Sequence, residues 1–270
     1  MSQEFDVVVA GGGIAGLTAG LYAARTGRKT MVLTGALLGG HLVTVEMIEG
    51  VPGFPDGAPG YDFCPIAQEQ AMNAGAEFSM VEADKIVSAD GKWHVTTAEG
   101  EYVAGALIVA TGTEFAKLGV PGEETLEGRG VSHCATCDGP MLGGKVAIVV
   151  GGGDSAAQEA LTLAKFAERV ILLHRGAELT AQATYRDRVT AEAKIEIRPN
   201  TEVEEILGGD GVTGVRLKGG EEITADSVFP FIGLKPNSAV LEGLLDLTPS
   251  GHVPVDGAMR TPLPGLFAGT

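Results

Sequence analysis

Cys134-Ala135-Thr136-Cys137-Asp138 holds the side chains best suited to chemistry in this chain. Two thiols with two residues between them can close a small disulfide ring, and such pairs commonly have a lowered thiol pKa. Asp138 follows directly and could shuttle the proton that thiol exchange requires. Two other readings stand beside the redox one. The pair could be half of a zinc site, although no second cysteine pair exists and the histidines are scattered, so the usual tetrahedral ligand set is not visible. It could also be two unreactive thiols. His133 abuts Cys134 and could help to lower its pKa.

A redox dithiol needs a source of electrons, and an internal repeat supplies two places for one. Residues 7–24 read VVVAGGGIAGLTAGLYAA and residues 147–164 read AIVVGGGDSAAQEALTLA. Each copy has a β-branched run, a triple glycine and an Ala/Leu-rich stretch with helical spacing, and each leads to a second apolar run, at 30–33 and 170–173. In Gly11-x-Gly13-x-x-Gly16 the first glycine allows the tight turn, the second lets a pyrophosphate approach the backbone and the third lets helix and strand pack closely. The diphosphate then lies on the free N–H groups of the helix start. Gly151-x-Gly153-x-x-Ala156 repeats the design with alanine in the third place. Two such patterns in register predict two dinucleotide sites. An NAD site usually carries an acid at the end of the second strand, bonded to the ribose diol. The first copy has Thr34-Gly35 there and the second His174-Arg175. Arg175 is placed for a 2′-phosphate, which favours NADP; the alternative is a solvated arginine after a strand.

These motifs need strands and helices to hold them. The periodicity predicts helices over 14–26, 62–74, 155–167 and 183–193, a hairpin from strands 93–97 and 102–104, buried strands 106–110 and 228–232, and an alternating strand 212–217. Pro52, Pro55 and Pro59 mark a loop over 49–60. The chain of 270 residues reads as an α/β protein of two domains, with crossings near 113–118 and 234–240. Its 19 basic and 35 acidic residues leave a net charge of −16, a field that repels nucleic acid. No apolar run approaches the ~20 residues that span a bilayer, so no membrane partner is expected. The start, MSQEFDVVVAGGG, resembles neither a signal nor a transit peptide, and three cysteines are too few for a disulfide scaffold, which together predict a reducing, cytoplasmic setting. Trp93 reads as hairpin core, Cys64 as a small buried hydrophobe at a helix start, His94 and His252 as surface or loop residues, and Glu202, Glu204 and Glu205 as a solvated acidic stretch rather than a metal site.

The chain resembles the low-molecular-weight thioredoxin reductases, FAD-dependent pyridine-nucleotide disulfide oxidoreductases. The resemblance covers nearly all 270 residues and is strongest over Gly128-Arg129-Gly130-Val131, CATCDG at 134–139 and VVGGGDSAAQEA at 149–160. Leu38-Gly39-Gly40, Pro52-Gly53, Val109-Ala110-Thr111-Gly112, Ile232-Gly233 with Pro236-Asn237, and Pro264-Gly265-Leu266-Phe267-Ala268 support it. It implies two Rossmann-like, three-layer domains, one inserted into the other: an FAD domain of residues 1–115 and 239–270, and an NAD(P) domain of residues 116–238 that carries the cysteines. Cys137 would accept electrons from the flavin, Cys134 would exchange with the disulfide of thioredoxin or a similar dithiol protein, and Asp138 would be the acid/base. FAD would lie against Gly11, Gly13, Ile14, Ala15, Gly16, Thr34, Gly35, Gly40, His41, Leu42, Ala83, Ala110, Thr111 and Gly112. NADPH would lie against Gly151, Gly153, Asp154, Ser155, Ala156, His174 and Arg175, and Ile232 and Gly233 complete the cofactor-contacting set. In the family the domains rotate so that the flavin meets nicotinamide and dithiol in turn, and homodimers are usual. A ferredoxin–NADP reductase of similar architecture would lack the cysteine pair.

The chain departs from the family pattern in four places. His41 and Gly50 stand where relatives usually have Gln and Asn near the flavin. Relatives carry two further phosphate-binding arginines where this chain has Gly176 and Thr180, and Glu178 adds a repulsive charge. Each charge-assisted hydrogen bond is worth roughly 1.5–3 kcal/mol, so the same chemistry with another donor, ferredoxin or a second flavin, is an alternative, as is a redox sensor without turnover. The chain stops at Phe267-Ala268-Gly269-Thr270 where relatives read Ala-Ala-Gly-Asp and continue, which predicts weaker FAD binding if nothing replaces the missing piece. Cys64 has no counterpart in the pattern.

Overall fold

The computed structural model describes residues 2–269. The chain forms two compact units, one built from residues up to Glu114 and from Pro236 onward, the other from Phe115–Lys235.

In the first unit β1 (Ser2–Ala10) runs into the glycine turn and α1 (Ile14–Arg25), then β2 (Thr30–Leu33), a short 3-10 helix (Gly40–Thr44), α2 (Gly60–Asn73) and β3 (Glu77–Ser79). β3, β2 and β1 pair parallel in that order, and Val8, Val9 and all of β2 are buried, as expected of a sheet covered on both faces. β4 (Lys85–Ala89), β5 (Lys92–Thr97) and β6 (Gly100–Val109) follow as an antiparallel meander. Trp93 sits in their core with Ile86, Tyr102 and Leu107. The sequence suggested two strands, 102–104 and 106–110, where the structure has β6 alone. Gly105 does not break it, because β1 pairs parallel along the whole strand, from Ser2 with Glu101 to Ala10 with Val109. β6 exchanges partners only on its other edge, from β5 to the parallel strand Leu266–Ala268.

β7 (Thr113–Phe115) leads to the second unit. There α3 (Ala135–Asp138), β8 (Val146–Val150), α4 (Asp154–Ala164), β9 (Arg169–Leu173), α5 (Ala183–Ala191) and β10 (Ile195–Arg198) come before an antiparallel layer, β11 (Val203–Gly208), β12 (Val212–Leu217) and β13 (Glu222–Thr224). β14 (Ser227–Pro230) returns to the parallel sheet, whose order is β10-β9-β8-β14. One face of that sheet packs Ala147, Val149, Leu172 and Phe229 against α4; the other packs Ile148, Val150 and Ile171 against Val203, Ile206 and Val215. Each unit thus combines parallel strands with an antiparallel meander: in the first the meander continues the same sheet through β6, and in the second β11–β13 form a sheet of their own. The chain leaves through β15 (Leu234–Pro236), which pairs with β7, and ends in β16 (Leu266–Ala268). Among the described residues no helix is long and apolar enough to cross a membrane.

Candidate functional site: two glycine cradles and a disulfide

The ends of β1, β2 and β6, the start of α1 and the 3-10 helix enclose a cleft of about 600 Å³ in the first unit. Every residue named above for FAD lies on its wall except Gly16. Gly16 packs instead against the turn, where a Cβ would come 1.9 Å from the Gly11 carbonyl oxygen. Gly11 has φ +125°, and a Cβ there would sit 2.0 Å from the Ala110 oxygen; one on Gly12 would strike Thr34 at 2.7 Å. Gly13 differs from both, since a Cβ there would meet nothing within 4 Å. It caps α1 with no side-chain hydrogen bond, so the first N–H groups of the helix face an open cradle. That cradle, with the helix dipole behind it, fits a diphosphate.

Glu82 and Asn237 also line the cleft. Glu82 lies in the loop after β3, and its side chain is 3.4 Å from where a Gly35 side chain would begin. Glu82 thus brings a carboxylate close to the end of β2, where the sequence has none, from a position that no spacing rule connects to the glycine turn. Asn237 donates its side-chain amide to the Thr111 carbonyl, and Thr111 donates its hydroxyl to the Asn237 carbonyl at 2.6 Å. His41 donates from Nε2 to the Thr113 carbonyl at 2.6 Å, which places that proton on Nε2. Cys64 is buried behind this wall with its sulfur against Gly39, and burial pushes its thiol pKa up, as expected of an inert thiol. Position 270, where the sequence departs from the family's Asp, lies outside the described residues.

The second glycine turn repeats the geometry. Gly151 has φ +148° and abuts the Phe231 oxygen, and a Cβ there would meet Ala156 at 2.9 Å, so alanine fits the third place because Gly151 has no side chain. Gly152 packs on His174, and Gly153 again faces open space. Ser155 is exposed at the start of α4 and Ala156 is buried beneath the turn. Asp154 in the first turn accepts hydrogen bonds from the backbone and side-chain amides of Gln182, both at 2.7 Å. Thr180 donates its N–H and hydroxyl to the Gly152 carbonyl, and Ala181 its N–H, so residues 180–182 are stapled to the turn. Arg175 is exposed, as is Ile232 at the end of the neighbouring strand, where Gly233 has φ +123°.

His174 is buried beneath the second turn, and burial pushes its pKa down, favouring the neutral ring. A histidine pKa depressed by folding contributes stability above its unfolded value, about 6.5, that is lost as pH falls through the folded value. Thermal unfolding should therefore show a melting temperature that drops from pH 7 toward pH 5, with a shallower slope in His174→Asn. An unchanged slope would remove this role.

Cys134 and Cys137 form a disulfide, with Cα atoms 5.3 Å apart. Cys134 is the N-cap of α3, its N–H held by the Ser132 hydroxyl, and its sulfur accepts the Cys137 N–H at 3.1 Å. An amide aimed at sulfur stabilises a thiolate on Cys134 once the bond is reduced. Cys137 is exposed, Cys134 and Asp138 are half-buried, and the Asp138 N–H donates to the Cys134 carbonyl. His133 stacks on Phe115 and lies 3.5 Å from Glu127 through Nδ1. Among the described residues no cluster of His, Cys, Asp and Glu could hold a metal ion.

Two glycine cradles on parallel strands, in a chain that also holds a disulfide spaced by two residues, define a dinucleotide-binding disulfide oxidoreductase. The pyridine nucleotide-disulphide oxidoreductase family matches residues 5–269, and the chain belongs to it. It is 37% identical over 273 residues to a thioredoxin reductase of Treponema pallidum, covering 99% of this chain and 89% of that protein. It is 41% identical over 270 residues to the bifunctional thioredoxin reductase/thioredoxin of Mycobacterium leprae, covering 97% of this chain and 59% of that longer protein. A crystal structure of Lactococcus lactis thioredoxin reductase superposes with a TM-score of 0.94 at 34% identity, over 98% of this chain and 89% of that one.

Proposed function

We propose that the chain reduces the disulfide of thioredoxin or a similar dithiol protein, with FAD in the first cleft and a pyridine nucleotide at the second cradle, working as a cytoplasmic homodimer. The observation that carries this reading is the Cys134–Cys137 disulfide at the start of α3 in a chain with a glycine cradle open to a diphosphate. FAD bound there supplies two-electron transfer between a hydride donor and sulfur. The chain's own residues do the rest. The N–H groups of α1 hold the diphosphate, Glu82 accepts the ribose hydroxyls, and the buried Gly16 contact keeps helix and strand close enough to shape the cradle.

At the dithiol, the Cys137 amide holds charge on the Cys134 sulfur. The Cys134 thiolate attacks a partner disulfide, forming a mixed disulfide and releasing one partner sulfur as thiolate. Cys137, losing its proton to Asp138, attacks the Cys134 sulfur, restores the internal disulfide and releases the second partner sulfur. The thioredoxin domain fused to the Mycobacterium leprae relative supports a thioredoxin as partner. In an assay with FAD, a reduced nicotinamide donor and oxidised thioredoxin, thiols should accumulate over many turnovers. Release of no more than one thiol pair per chain would contradict a reductase.

A further inference from the structure

We infer that the second dinucleotide site takes the unphosphorylated nucleotide, NADH, and rejects the 2′-phosphate of NADPH. The inference rests on the reading of Gly151–Gly153 as a pyridine-nucleotide cradle and concerns what surrounds it. In this fold the adenosine ribose lies at the end of the strand after the turn, here β9, so His174 and the residues that follow decide whether a 2′-phosphate is welcomed.

Of the two basic residues at that strand end, only one offers a charge. His174 is 4% exposed, lies beneath Gly152, and burial disfavours its cationic form. Arg175 is exposed, but carboxylates share its neighbourhood. Its charge helps to lower the Glu202 pKa, behind the stronger pull of Lys218, which bonds Glu202 at 2.8 Å. Glu178 is held in the same short loop, which folds back so that the Glu178 carbonyl lies 3.2 Å from where a Gly176 side chain would begin. The loop cannot readily swing away, because Thr180, Ala181 and Gln182 are bonded to Gly152 and Asp154. Two other arginines of this unit are held by carboxylates, Arg198 by Glu196 and Glu221, and Arg216 by Glu205 and Glu222. A phosphate dianion arriving here would meet the Arg175 guanidinium with Glu178 in the same loop, while Glu202 and Lys218 offset one another. The free ribose diol, in contrast, asks only for a hydrogen-bond acceptor, and Glu178 is the acid in this loop that could serve.

A phosphate-selective site gains roughly ten- to a hundredfold for each charged hydrogen bond to the phosphate. The experiment compares ADP-ribose with ADP-ribose 2′-phosphate, by titration calorimetry on the FAD-loaded protein at low salt, alongside kcat/KM for NADH and NADPH. The expected result is tighter binding of ADP-ribose, by about tenfold, matched by a preference for NADH; added salt should narrow the gap, as screening weakens the repulsion. Glu178→Gln should narrow it too, and Gly176→Arg combined with Thr180→Arg should reverse it. Equal or tighter binding of the 2′-phosphate by the unaltered protein would overturn the inference, whatever the variants do. Failure to bind either ligand would overturn it as well, while the flavin spectrum and thiol production from another reductant would still report separately on the proposed function.

Discussion

Replacing Cys134 with serine should abolish turnover of a protein disulfide, by on the order of a thousandfold or more, and leave flavin binding intact. A serine oxygen cannot form the mixed disulfide, so no other residue can share the loss. Cys137→Ser should fail differently. Cys134 can still attack, but nothing resolves the product, and the protein should accumulate as a covalent adduct with its partner. Two features of the site pull in opposite directions here. Exposure favours Cys137 as the residue that meets a partner, whereas the Cys137 amide directed at the Cys134 sulfur favours thiolate on Cys134. Rate follows thiolate population as well as access, so the amide should decide. Mass spectrometry of the two variants after exposure to oxidised thioredoxin separates the outcomes, and an adduct trapped by Cys134→Ser instead would reverse the assignment.

The second large effect lies in the first glycine turn, where neighbouring glycines should respond in opposite ways. Gly13 has φ −74° and open space where a side chain would go, so Gly13→Val should fold with little change in stability. Its side chain would occupy the cradle, and FAD affinity should fall by about a hundredfold or more. Gly11 has φ +125° and no room, since a Cβ would overlap the Ala110 oxygen at 2.0 Å. Gly11→Ala should therefore destabilise the flavin-free protein by at least about 3 kcal/mol, combining backbone strain with overpacking. Denaturant unfolding and flavin fluorescence titration measure the two quantities separately. A Gly13→Val protein that holds FAD normally would show that the cleft is not where the flavin lies.

The motifs that carry these predictions were legible because each is a local rule. A triple glycine between a β-branched run and a helical stretch specifies a turn, and the same pattern written twice specifies two of them. The bounds of α1 and α5 agree with the sequence to within a few residues; α1 buries Gly16, Leu17, Gly20 and Ala24 along one face, whereas α5 is polar and buries only Tyr185 and Val189. Short strands such as β3, β7, β13 and β15 were not read, because three residues hold no period. β6 was read as two strands because its change of partner on one edge is a tertiary event that leaves a glycine, not a break. At the candidate site, the cleft wall followed from motif positions, but Glu82 reaches it from a distant loop and carries no local signal, and Asn237 stood in a quoted motif with nothing local to place it on the wall. The commitment of Asp154 to Gln182 was equally hidden, since it depends on a loop folding back over the turn.

The central claim is that a flavin and the Cys134–Cys137 disulfide exchange electron pairs within this protein. Anaerobic titration of the FAD-loaded protein with dithionite tests it directly, because the disulfide is a second acceptor only if electrons reach it. The native protein should consume twice as much reductant per flavin as Cys134→Ser before the flavin absorbance is fully bleached, with the extra equivalents recovered as two thiols. Equal consumption by the two proteins, with no thiol gained, would contradict the account.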